Sequence, residues 1–303
     1  MDIDKIPPDV FVKSVVYGAH QKYGRGRVKI RRVKSMKMVI KAAEMCSYDH
    51  IAHGFYMFGD YSFRVHTIFD EIFDGPSLHG MRKDRSINME LVSLLDTFFD
   101  DMQHLLTGRF SKFIDWAHIQ EVPQEYLDFY LYSDLLRKNI EILPNVKRKD
   151  VASYYDEISG NISNLDACLN HVPKERLLLY FKFTDLLEGV LIVCRHRNFN
   201  YYEYKAVMKD LAKLYKYDVA SLLYPYLETM KGEDTEFEKR EYNERIEKRM
   251  NVVPSGLTRL EARIAKRGFK PTLEELDAEI SSDMRDLDGA GKKQVLSILG
   301  YVD

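Results

Sequence analysis

Cysteine is scarce in this chain: Cys46, Cys168 and Cys194 are the only three in 303 residues. They lie far apart, form no Cys-x-x-Cys pair and are odd in number, which excludes a disulfide framework and a zinc ribbon. Long apolar runs are missing too. The most hydrophobic internal stretch, "LLEGVLIVC", falls far short of the roughly 20 residues of a membrane span and contains Glu188. The opening "MDIDKIPPDVF" has neither the basic start nor the apolar core of a secretory signal. A cytoplasmic protein with no membrane contact is therefore expected. There is no Gly-x-Ser-x-Gly elbow and no Gly-x-x-x-x-Gly-Lys-Ser/Thr loop, and "GRGRVK" lacks the third glycine of a dinucleotide fingerprint. No cofactor is called for, and no internal repeat is found.

What is present is helical periodicity. "SINMELVSLLDTFFDDMQHLL" puts Leu91, Leu94, Leu95, Phe98, Met102 and Leu105 on one face, with Ser86 as N-cap. "PQEYLDFYLYSDLLRKNIEIL" starts at Pro123 and stops before Pro144, while "PKERLLLYFKFTDLLEGVLIVCRH" is apolar on nearly every side and reads as a buried central helix. "DVASYYDEISGNISNLDACL", "NYYEYKAVMKDLAKLYKYD" and "VASLLYPYLETM" read as further helices. The alternation of Val28, Ile30 and Val33 suggests one short edge strand. The expected fold class is mostly α, a multi-helix bundle-like domain with a small C-terminal helical module.

Composition places the boundaries. Residues 1–231 form the expected helical domain with a basic N-terminal segment. Residues 232–253 carry charge almost continuously and read as a charged linker or connecting helix. Residues 254–303 form the tail module, with Leu257, Leu260 and Ile264 on one helix and Leu273, Leu276 and Ile280 on the next. Gly268 closes the first of these, and Thr272 or Lys270 caps the second.

Charge of one sign is absent from residues 10–43, which hold no Asp or Glu but include Arg25, Arg27, Lys29, Arg31, Arg32, Lys34 and Lys37. The net charge of −2 conceals this basic patch. Arginine forks and glycines among them suit phosphate oxygens, the electrostatic footprint of a nucleic-acid backbone. The competing explanations are a solvated basic face and contact with acidic groups. Histidines cluster early as well: "HIAH" sets His50 and His53 one helical turn apart, His66 and Asp70 stand at i and i+4, and Asp101 and His104 at i and i+3. His66, Asp70, Asp101 and His104 could form a metal site if all faced one cavity. Their polar stripes oppose apolar faces, so exposure to solvent is the preferred expectation.

The end of the chain, "DLDGAGKKQVLSILGYVD", carries Gly289, Ala290 and Gly291 followed by Lys292 and Lys293. It resembles the hairpin and second helix of the helix-hairpin-helix motif. That resemblance implies backbone N–H groups offered to a DNA phosphate, with both lysines adding charge. Asp283, Asp286 and Asp288 make the approach acidic, and Gly289 also serves as a simple helix end.

Together these features read as a non-enzymatic helical protein that binds DNA or RNA backbone. The alternatives are a protein-interaction or assembly subunit docking through residues 232–303, with homo-oligomers open, and a metal-dependent helical-bundle enzyme. Nucleic-acid binding through the basic segment should weaken steeply with salt. Log Kd in an anisotropy titration should shift by about 0.9 per contacted phosphate for each log unit of salt; a flat dependence removes that function.

Overall fold

The computed structural model describes residues 1–23, 32–57, 59–72, 86–108, 122–233 and 235–286. These residues are mostly helical, with eleven α-helices and one two-stranded sheet among them. None of the helices is long and apolar enough to cross a membrane. The chain divides into two units, each assembled from separated stretches. The first holds Met1–Leu131, Cys168–Pro173 and Ala220–Asn251; the second holds Tyr132–Ala167, Lys174–Val219 and Val252–Asp303.

The first unit begins with helices α1 (Pro8–Tyr23) and α2 (Arg32–Met45). A hairpin of β1 (Gly54–Tyr56) and β2 (Gly59–Tyr61) follows, paired antiparallel with Phe55 opposite Asp60. Then come α3 (Phe63–Ile72), α4 (Met89–Leu94) and α5 (Asp96–Thr107). Helix α1 is central: Phe11, Val12, Val15, Val16 and Ala19 are fully buried against α2, α3 and the α4–α5 pair. Its Gly18 faces Phe99, and a Cβ there would come within 2.5 Å of the ring. The close approach of α1 and α5 therefore requires a residue with no side chain.

Several local expectations change. Arg32 and Val33 open a helix instead of ending a strand, and residues 28–31 lie outside those described. Asn88, not Ser86, caps the helix after it, its side chain accepting from the Glu90 and Leu91 N–H groups at 3.1 Å. That helix breaks at Leu95, leaving Leu94 54% exposed instead of buried. The segment expected as a helix, "VASLLYPYLETM", has only a 3-10 turn at Ala220–Leu222 before Pro225.

The beginning of α3 shows how the first unit is held together. Helix starts leave N–H groups without intrahelical partners. Here the N–H groups of Phe63 and Arg64 donate to the Glu238 carboxylate at 2.7 and 2.8 Å, and that of Val65 donates to Ser62 Oγ at 3.3 Å. Ser62 Oγ itself donates to Glu238 at 2.8 Å, and Tyr226 Oη donates to the same carboxylate. Glu238 is 1% exposed, so four donors surround a charge that water does not reach. Around it Tyr56, Tyr61, Phe63, Tyr224, Tyr226 and Tyr242 form one ring cluster.

Glu238 lies in the charged stretch 232–253. Most of that stretch belongs to the long helix α10 (Thr235–Lys266), which carries residues of both units, as does α6 (Leu127–Ile142). The remaining helices are α7 (Tyr154–Asp166), α8 (Lys174–His196), α9 (Tyr201–Leu214) and α11 (Leu273–Asp286). In the second unit α8 packs on α7 and α11, and Tyr180, Phe183, Leu187, Val190 and Leu191 are buried. Gly268, at φ +79°, closes α10. Thr272 and Glu275 then exchange side-chain-to-N–H bonds of 3.2 and 2.8 Å as a capping box opening α11. Of the three apolar residues expected on the buried face of α11, only Leu276 is half-buried. Leu273 and Ile280 are 78% and 43% exposed, while Glu279 is buried and receives Arg195 and His196 at 2.9 and 2.8 Å.

Replacing the Glu238 carboxylate leaves four inward donors short of an acceptor. Glu238→Gln should destabilise the protein by roughly 2–4 kcal/mol, read as a lowered urea midpoint with unchanged slope. A loss under about 0.5 kcal/mol would contradict the role given to this carboxylate.

Candidate metal centre

Three side chains from three different local structures converge in the first unit. Glu44 comes from the last turn of α2, His53 from the segment leading into β1, and Asp60 from the middle of β2. His53 is held by a two-way backbone bridge to Lys231, with N–H···O distances of 3.0 and 2.8 Å. The next residue after Lys231, Gly232, has φ +93°, and a Cβ there would lie 2.7 Å from Ala52 Cα. Only glycine fits both that conformation and that approach. Phe55 N–H donates to Thr229 Oγ1 at 2.8 Å, so the 229–232 segment clamps the chain on both sides of His53 and Gly54.

The imidazole is 4% exposed and its two nitrogens differ. Nδ1 lies 3.1 Å from the Ile51 carbonyl, which can only accept, so Nδ1 carries a proton. Nε2 has no hydrogen-bond partner and points toward Glu44 Oε1 at 3.5 Å and Asp60 Oδ1 at 4.0 Å. Asp60 is 3% exposed, and its Oδ1 also lacks a hydrogen-bond partner. One donor atom from each of the three side chains lies within 4.8 Å of the others. A bare imidazole lone pair facing two carboxylate oxygens is repulsive until something positive sits between them. A proton on Nε2 or a metal ion meets that need.

Lysines surround the cluster without filling it. Lys41 Nζ holds Glu44 Oε2 at 2.6 Å, leaving Oε1 turned to His53, and Lys231 Nζ is 4.0 Å from Oε1. The Lys37 ammonium donates to the Asp60 backbone carbonyl. The His53 interaction comes first among the causes that hold the Glu44 carboxyl down at about 2, despite partial burial. Burial works against the imidazolium of His53, yet Glu44 and Asp60 outweigh it and raise its pKa. Burial raises that of Asp60, against the opposing pull of Lys37 and His53.

Two hollows are lined by residues of this cluster. A cleft of about 380 Å³ is lined by Glu44, His53, Ser47, Asp49 and Lys231. A second, about 260 Å³, is lined by Asp60 together with residues of α2, the hairpin and α3.

The residues singled out from the sequence fall elsewhere. Arg32 donates to the His66 carbonyl at 2.9 Å and pairs with Asp70. Lys34 is 4% exposed with its ammonium on the Gly108 carbonyl at 2.8 Å, and Lys37 is 3% exposed. These two cations point into the unit, not toward a solvent-facing phosphate. Arg25, Arg27, Lys29 and Arg31 lie outside the described residues, as do Gly289, Gly291, Lys292 and Lys293. His66 Nδ1 is 3.5 Å from Asp70 Oδ2, Asp101 is exposed on α5, and the His104 side chain lies outside those described. "HIAH" is not helical: His50 is half-exposed and rests edge-on against Tyr48. Sequence spacing set His53 beside His50 without naming it a ligand, and had no means of joining it to Glu44 and Asp60.

No protein-family model matches the chain, and no curated protein or solved structure matches it.

The shifts predict how metal-free protein responds to pH. Folding raises the pKa of His53 and of Asp60, so the native state binds these protons more tightly than the unfolded chain does. Their stabilisation is complete at low pH and is lost as pH rises through the folded values. The contribution of Glu44 runs the other way: it is present above its unfolded value and lost only as pH falls toward about 2. Melting temperature measured in chelator should therefore decline from pH 6 to 9, and His53→Gln should flatten that decline. An identical slope in the variant would contradict the assignment.

Proposed function

We propose that this chain is a metal-dependent protein whose mononuclear centre is formed by Glu44, His53 and Asp60. The observation that carries it is His53 Nε2, buried and without a hydrogen-bond partner, aimed at two carboxylate oxygens. Its other nitrogen is held by a backbone carbonyl, as metal-ligating imidazoles generally are. One nitrogen and two oxygens suit a borderline divalent ion such as Zn²⁺, Mn²⁺ or Fe²⁺ more than a soft ion that needs thiolate. The two carboxylate charges match that of a divalent ion.

Three protein ligands leave coordination positions open, the arrangement of catalytic metal sites. The bound ion would supply Lewis acidity at those positions. The protein's own groups fix the donors: Ile51 sets the imidazole tautomer, Lys41 turns Glu44, and Lys37 anchors the β2 backbone beneath Asp60. A metal-dependent enzyme is the last of the alternatives read from the sequence, and the ligands proposed here are a different set. Nucleic-acid binding remains the second proposal and rests on Arg25, Arg27, Lys29 and Arg31. Of its other N-terminal cations, Lys34 and Lys37 are taken up inside the unit.

Purified protein, stripped with chelator and titrated with Zn²⁺ or Mn²⁺ by calorimetry, should take up about one ion per chain. His53→Ala and Asp60→Asn should each weaken that binding by about 100-fold or more, since loss of a group that only orients a ligand costs roughly 10–100-fold. Failure to retain any ion, by calorimetry and by elemental analysis after gel filtration, rejects the centre.

A further inference from the structure

The hollow on the Asp60 side has no role in holding the ion. It is bounded by the first turns of α2, by the hairpin and by α3. Most of its wall is apolar: Val33 and Met36 from α2, and Tyr56, Met57 and Tyr61 from the hairpin. The Tyr56 and Tyr61 rings stand 5.8 Å apart, inclined at 49°. Rings and thioethers of this kind favour a flat aromatic guest, by offset or edge contacts and by sulfur–ring contacts. A cavity of about 150 Å³ holds a benzene ring, so 260 Å³ accommodates a guest of about ten heavy atoms.

The polar part of the wall sets the sign of the guest. Arg32, which also pairs with Asp70, and Lys37 both line the hollow, and Asp60 is the only acid among its described lining residues. His66, also in the wall, is pushed toward its neutral form by burial and by Arg32, against the pull of Asp70. Of the three side chains in the centre, Asp60 alone lines this hollow, and its unpartnered Oδ1 faces His53. An ion bound there would present a positive charge behind the Asp60 wall.

We infer that this hollow binds a small aromatic carboxylic acid, ring against Tyr56, Met57 and Tyr61, carboxylate toward Arg32, Lys37 and the ion held by the centre. The inference rests on the metal reading for the last of those contacts, while the hollow and its two cations stand without it. An aromatic amine of the same size offers no acceptor to Arg32 and Lys37 and is disfavoured.

Phenylacetate and benzylamine, titrated by calorimetry into the full chain with and without Zn²⁺, separate the two ideas. Phenylacetate should bind the Zn²⁺-loaded protein at least ten times more tightly than benzylamine does. Val33→Trp, which fills the hollow, should abolish that binding and leave Zn²⁺ affinity unchanged. Met57→Trp fills the hollow from the hairpin side if Val33→Trp fails to fold by circular dichroism. Zn²⁺ uptake without phenylacetate binding overturns the ligand site and leaves the metal centre standing. Absence of Zn²⁺ uptake, with phenylacetate binding that the filling variants abolish, rejects the centre and supports the hollow. Equal affinity for the amine, or binding that survives both filled variants, overturns the proposal.

Discussion

A single buried carboxylate organises the first unit. Glu238 accepts from Ser62 Oγ, from the N–H groups of Phe63 and Arg64, and from the Tyr226 hydroxyl. A charge in that position, removed from water, is tolerated only with its lone pairs filled. Filling them fixes where α3 begins and holds the end of β2 beside the tyrosine cluster. Asp60 stands two residues before Ser62, so the same constraint sets the register of the hairpin at the cluster of Glu44, His53 and Asp60. The second clamp, from Thr229 to Gly232, holds Gly54 and His53 from the other side. The close fit of a Gly54 Cβ position to the Tyr226 carbonyl, 2.5 Å, shows how little room separates the two clamps.

With both ends tied, the cluster of Glu44, His53 and Asp60 is pre-organised. An imidazole with one nitrogen committed and the other bare cannot turn away from the carboxylates without losing the Ile51 contact. Such an arrangement is unfavourable as bare neutral chemistry and favourable with a cation in place. A proton on Nε2, which makes the cluster a buried ion pair, or a bound cation supplies that positive charge. The basic residues of α2 contribute from behind. Lys34 and Lys37 tie the helix to the Gly108 and Asp60 carbonyls instead of facing solvent.

Much of the fold was legible from side-chain spacing. Central α8, the α6 segment ending before Pro144, the closure at Gly268 and the cap at Thr272 all follow from local rules about periodicity, proline and capping. The misses have identifiable physics. The hairpin strands have three residues each, and every residue of β1 is buried, so they show no alternation. "VASLLYPYLETM" has helical-looking apolar content, but its tyrosines are drawn into a ring cluster completed by residues far along the chain. Leu273 and Ile280 promised a buried face, yet the buried position went to Glu279 because Arg195 and His196 await it.

The chain's own order determined that it would be helical, where most helices would start and stop, and that one early segment would be free of acids. Those properties follow from interactions within about four residues, which a sequence displays directly. Tertiary structure decided which charges face inward and which polar atoms meet. Glu44, His53 and Asp60 carry no mutual spacing rule, since a helix end, a clamped strand entry and a hairpin bring them together. Lys34 and Lys37 read as surface charge because the carbonyls that receive them come from residues 108 and 60. Long-range pairing of this kind is set by packing and by the demand that buried polar groups find partners. Neither leaves a periodic trace in the sequence.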